Sequence, residues 1–99
     1  MGNWKPSSTT FSELNDHLDD GRWQQAESVA RRIYQHYYQL NAYPPHTFSV
    51  KQGNGIRLAA MALRDLLKEI KERKKTSEEF IAQSNAAYQK LKESDLIGA

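Results

Sequence analysis

No cysteine occurs among the 99 residues. Disulfides, thiolate nucleophiles and Cys-ligated zinc are excluded together. Apolar runs are short as well. Nothing approaches the ~18 consecutive apolar residues of a membrane span, and no charged-then-apolar leader opens the chain. Signatures of chemistry are equally scarce: the chain has no GxGxxG, no Gly-Lys-Ser/Thr, no GxSxG and no HExxH. His17, His36 and His46 form no i, i+4 pair, and Asp16, Asp19 and Asp20 do not follow the order of a calcium loop. These absences lead to the expectation of a protein that is not an enzyme, with no cofactor and no metal.

What is present is enough for one small core. Hydrophobic residues make up 38%, and two Trp, five Tyr and three Phe supply large packing units that a disordered chain would lack. The length fits one domain. The net charge of +2 hides an uneven distribution. Residues 1–30 carry −3, residues 31–75 carry +7 and residues 76–99 carry −2. A basic middle between acidic flanks serves either an anionic partner or ends that fold back on the centre.

Residues 1–9, with Gly, Pro and small hydroxyl side chains around Trp4, read as a flexible tail. Thr10-Phe11-Ser12-Glu13 matches a capping box, after which Phe11, Leu14 and Leu18 share a helical face. Asp19-Asp20-Gly21 ends that helix, its carboxylates suited to the N-terminus of the next. From about Arg22 to Leu40, Trp23, Ala26, Val29, Ala30, Ile33, Tyr34, Tyr37 and Leu40 share an arc of roughly 140° at 100° per residue. Residues 41–55 hold Pro44, Pro45 and Gly53-Asn54-Gly55, and predict a long crossover loop whose Phe48 and Val50 dip into the core. A third helix is predicted over 56–75, with Ile56, Leu63, Leu66 and Ile70 inward, and Glu69 paired with Arg73. Thr76-Ser77-Glu78-Glu79 is another capping box, opening a fourth helix to about Glu93. Residues 96–99 read as a frayed end. The expected fold is all-α, a small single-domain four-helix bundle over residues 10–95, with a long Pro-containing loop between the second and third helices.

The stretch Leu18-Asp19-Asp20-Gly21-Arg22-Trp23-Gln24-Gln25-Ala26 is similar to the hairpin of tetratricopeptide-like and microtubule-interacting-and-trafficking domains. The resemblance implies a close helical hairpin. It ends there, since a Pro-Pro segment replaces the short second turn those domains use.

Two features exceed the needs of a plain bundle. Arg57, Arg64, Lys68, Lys71 and Lys75 recur at spacings of 7, 4, 3 and 4, a basic ridge beside the core face of the third helix. Tyr38, Leu58 and Met61 fall outside their helices' core stripes, a composition favoured at interfaces unless the loop covers them. The leading expectation is a cytoplasmic, non-enzymatic protein–protein interaction module: a small adaptor, inhibitor or immunity-type binder, with a homodimer among the arrangements. The alternative is a nucleic-acid-binding protein that uses the ridge, with tyrosines as stacking platforms. An anionic membrane surface anchored by Trp4 is the least favoured partner.

Overall fold

The computed structural model describes residues 4–98; residues 1–3 of the expected tail and residue 99 of the expected frayed end lie outside it. Four helices follow one another: α1 (Ser8–Asp19), α2 (Trp23–Ala42), α3 (Val50–Glu72) and α4 (Ser77–Glu93). The fold is an all-α four-helix bundle, as the periodicity predicts. Side-chain partners fix the directions. Trp23 at the start of α2 lies beside Arg73 at the end of α3. Asn15 and Phe11 of α1 meet Asn85 and Tyr88 of α4 in reversed order. Trp4, ahead of α1, lies on Arg32 and His36 in the second half of α2. Successive helices therefore alternate in direction, and each packs on its two neighbours in the ring α1–α2–α3–α4. The 23 residues of α3 span about 35 Å at 1.5 Å per residue, close to the molecule's 39 Å long axis.

The core is aliphatic with aromatic ends. Leu14, Leu18, Ala26, Ile33, Ala59, Leu63, Leu66, Phe80 and Leu91 have no measurable exposure. Tyr37 is buried among them, and that burial, followed by the neighbouring Tyr88, pushes its phenol up to about 12. Trp23, expected on the core side, is half-buried; its ring packs edge-on to Phe80 at 5.8 Å.

The long crossover loop is not there. Only residues 43–49 separate α2 from α3, and Gly53-Asn54-Gly55 lies inside α3. Two contacts account for a helix that holds the glycines. Ser49 caps the helix, its hydroxyl accepting from the Gln52 N–H at 3.1 Å while the Gln52 side chain accepts from the Ser49 N–H at 3.0 Å. Gly55 is buried where α3 meets the end of α4, and a Cβ placed there would run into the Ser94 side chain. A glycine in a helix costs roughly 1 kcal/mol relative to alanine, and here that cost secures close approach. Phe48 packs against the core as expected, whereas Val50 stands in solvent at 82% exposure.

Smaller boundaries shift for similar reasons. α1 starts at Ser8, with the Ser7 N–H donating to the Thr10 hydroxyl at 3.0 Å, so Thr10 serves the cap from inside the helix. Asp20 does not cap α2 with its side chain. Its carboxylate is held by Arg22, whose Nε also donates to His17 Nδ1 at 2.9 Å. The turn itself rests on Gly21, at φ +70°. Past α4, Asp95 takes a left-handed conformation and the Leu96 N–H reaches back to the Leu91 carbonyl at 2.9 Å. That reversal folds Ile97 under the bundle, where it is buried. At the other terminus Pro6 is buried and the Trp4 ring lies 4.3 Å from the Arg32 guanidinium.

Candidate functional site

The expected site residues lie on α2, on α3 or, for Lys75, in the turn after α3, and all are exposed. Around α3, at about 100° per residue, Ile56, Leu63, Leu66 and Ile70 mark the inward direction. Arg57, Arg64, Lys68 and Lys71 share one outward stripe. It borders Leu67 and Ala60 on the flank toward α2. Leu58 and Met61 follow on the other flank, toward α4, where Glu69 meets Gln83. The three apolar residues therefore do not form one patch. Tyr38 lies on the α2 side of the basic stripe, Leu58 and Met61 on the other.

Their exposure is substantial: 51% for Tyr38, 44% for Leu58 and 47% for Met61. The segment after Ala42 does not cover them, because it is too short. Tyr38 packs on the half-buried Tyr34, ring centres 5.7 Å apart, which holds it in place against α2. Two further members of this region, Tyr43 and Val50, are both more than three-quarters exposed. The sequence alone predicts Val50 inside, because the segment that holds it reads as a loop dipping into the core.

The five cations of the ridge divide by their partners. Arg57, Lys68 and Lys71 have no carboxylate within 4 Å among the described residues. Arg64 only touches its neighbour Asp65, at 3.5 Å. Lys75 is committed elsewhere. Its ammonium lies 2.6 Å from the Glu69 carboxylate and donates to Gln83 at 3.2 Å, while Gln83 donates to Glu69 at 3.3 Å. The Lys75 hydrogen bond holds the Glu69 carboxyl below its usual range, with the nearby charges of Lys75 and Lys74 and the Gln83 amide assisting. This cluster ties the end of α3 to α4, and it takes the place of the expected Glu69–Arg73 pair. Arg73 instead ends α3 in a left-handed conformation, its guanidinium 5.8 Å from the Trp23 ring.

Between the free cations lies a depression of about 280 Å³, lined by Arg64, Leu67, Lys68, Lys71 and Glu72. Lysine and arginine stems make its walls apolar while their heads stay in water. The carboxylate at its rim, Glu72, is drawn aside by Lys74 at 3.2 Å.

A second depression, of about 330 Å³, lies where the chain ends meet, lined among others by Lys5, His36, Tyr37 and Asp95. Burial, then the Lys5 charge, lowers the His36 pKa from the ordinary imidazole value. His17, on α1, is bonded to Arg22 at the start of α2, and Arg22 is about 21 Å of helix axis from His36. Among the described residues no three His, Asp or Glu side chains are grouped to hold a metal ion, and no helix is long and apolar enough to cross a membrane. Compared with protein-family models, curated proteins and solved structures, the chain matches none.

Proposed function

We propose that this chain is a non-enzymatic protein–protein interaction module, a small adaptor, inhibitor or immunity-type binder acting in the cytoplasm. Its α2–α3 side engages an acidic partner protein. One observation carries the reading. Among the described residues, five of the six exposed large apolar side chains, Tyr38, Tyr43, Val50, Leu58 and Met61, belong to the α2–α3 hairpin, and the same hairpin holds the free cations Arg57, Lys68 and Lys71. Scattered exposed apolar groups need no explanation, but their concentration beside unpaired charge of one sign matches the mixed make-up of interfaces. Charge of one sign also steers a partner of the other and speeds its encounter.

Site-directed photo-crosslinking tests this directly. A photoreactive residue at 58 or 61 should capture one discrete protein in cells, and the same residue at exposed Asn85 on the α1–α4 side should not. Equal capture at both faces, or none at either, would sink the reading.

The second reading is nucleic-acid binding, favoured by the stacked Tyr34–Tyr38 pair and the ridge cations that lack partners. A titration at two salt concentrations separates the two. Phosphate contacts give an affinity that falls steeply with salt, and an interface with an apolar centre does not.

A further inference from the structure

The depression over Leu67 has a shape and a charge pattern that narrow the partner. Its volume, about 280 Å³, lies just below the roughly 300–1,000 Å³ of small-molecule sites, so it suits one large side chain better than a cofactor. Its floor is the exposed part of Leu67, a residue otherwise packed on the core and therefore fixed. Arg64 and Lys71 stand one turn to either side of it, seven residues or about 10.5 Å apart along α3. Lys68 lies between them and has no carboxylate within 4 Å.

Resting on the interaction-module reading above, we infer that this depression is the anchor pocket for an acidic amphipathic helix of the partner. One large apolar side chain of that helix enters over Leu67. Carboxylates about a turn before and a turn after it meet Arg64 and Lys71, because residues seven apart on the partner repeat the same ~10.5 Å interval. For a partner helix running parallel to α3, the carboxylates fall three residues before the anchor and four after it, the spacing of Arg64 and Lys71 about Leu67. Apolar burial in a fixed pocket supplies hold, and the charges supply choice, since a basic helix would bring like charges together. The occupant is thus Glu-x-x-Φ-x-x-x-Glu, with Φ large and apolar.

Fluorescence anisotropy with labelled 16-residue helical peptides tests the inference at low salt. The first peptide carries Phe as Φ between the two Glu on an Ala/Gln background. A second replaces Phe by Ser, and a third replaces both Glu by Lys. The first should bind, and each replacement should weaken binding tenfold or more. The R64E/K71E double variant should lose the first peptide and gain the third. Should that variant fail to fold, the three peptides on the unaltered protein decide. Equal binding of the Phe and Ser peptides would overturn the inference, leaving only charge attraction. So would binding to vesicles of anionic phospholipid with no binding to any peptide. Peptide failure with crosslinking at 58 and 61 intact removes the anchor and leaves the module reading standing; failure of both removes both.

Discussion

On the α1–α4 side no large apolar side chain of either helix is exposed, and the compromise is inside. Asn15 donates to Asn85 at 2.9 Å, but its own carbonyl oxygen and the Ser84 hydroxyl are buried without a partner. On the α2–α3 side the buried residues are apolar apart from the Tyr37 hydroxyl, and the compromise is outside, in Tyr38, Leu58, Met61, Tyr43 and Val50. Charge follows the same division: the described ends of the chain are acidic and residues 31–75 basic. A buried polar atom without a partner lowers stability, whereas an exposed apolar one costs the fold almost nothing. The first side is therefore where stability can be gained, and the second is where binding can be lost without unfolding.

The sharpest test uses two residues of α3, one turned in and one turned out. Leu63→Ala should cost about 2–5 kcal/mol, as fully buried leucines do. Met61→Ser, two positions away, should stay within ~0.5 kcal/mol. Chemical denaturation of the two variants checks the pair. A Met61 effect above 1 kcal/mol would mean that the outer face is covered.

Gly55→Ala comes next. The added methyl collides with Ser94 and should cost about 1–3 kcal/mol despite the better helix propensity of alanine. Introducing Ser94→Gly into that variant should recover part of the loss. A stabilised Gly55→Ala would show that the ends of α3 and α4 do not meet this closely.

Ser84→Ala carries the opposite sign. It removes the buried hydroxyl that has no partner and should raise stability by about 1 kcal/mol, with a matching rise in melting temperature. Destabilisation would reveal a hydrogen bond in the α4 seam.

The smallest effect is expected from pH. Folding favours the neutral His36 imidazole, so the unfolded chain takes up the proton first. This contribution is complete above the ordinary value of 6.5 and is lost as pH falls through it toward the lower folded pKa. Stability measured from pH 7 to 5 should decline, and His36→Gln should flatten that decline. An unchanged slope would remove His36 from the contact with Lys5 and Trp4.

The four amphipathic stripes, the Gly21 turn and the Thr76 capping box were legible in the residues alone, because each depends on neighbours within a turn or two. Ile33 and Leu63 face inward for that reason, and the stripe from Arg57 to Lys71 faces outward. Other features depended on residues far along the chain. Position 55 of α3 must be glycine because Ser94, thirty-nine positions beyond it, occupies the space a Cβ would need. Lys75 leaves the ridge because Gln83 of α4 completes a cluster around Glu69. Trp4 finds Arg32 across the first turn. Tyr38 and Leu58 stand on opposite flanks of the basic stripe because α2 packs against one side of α3 and α4 against the other. Periodicity assigns each helix an inner and an outer face. Which neighbour closes which flank is a property of the assembled bundle, and tertiary packing alone decided it.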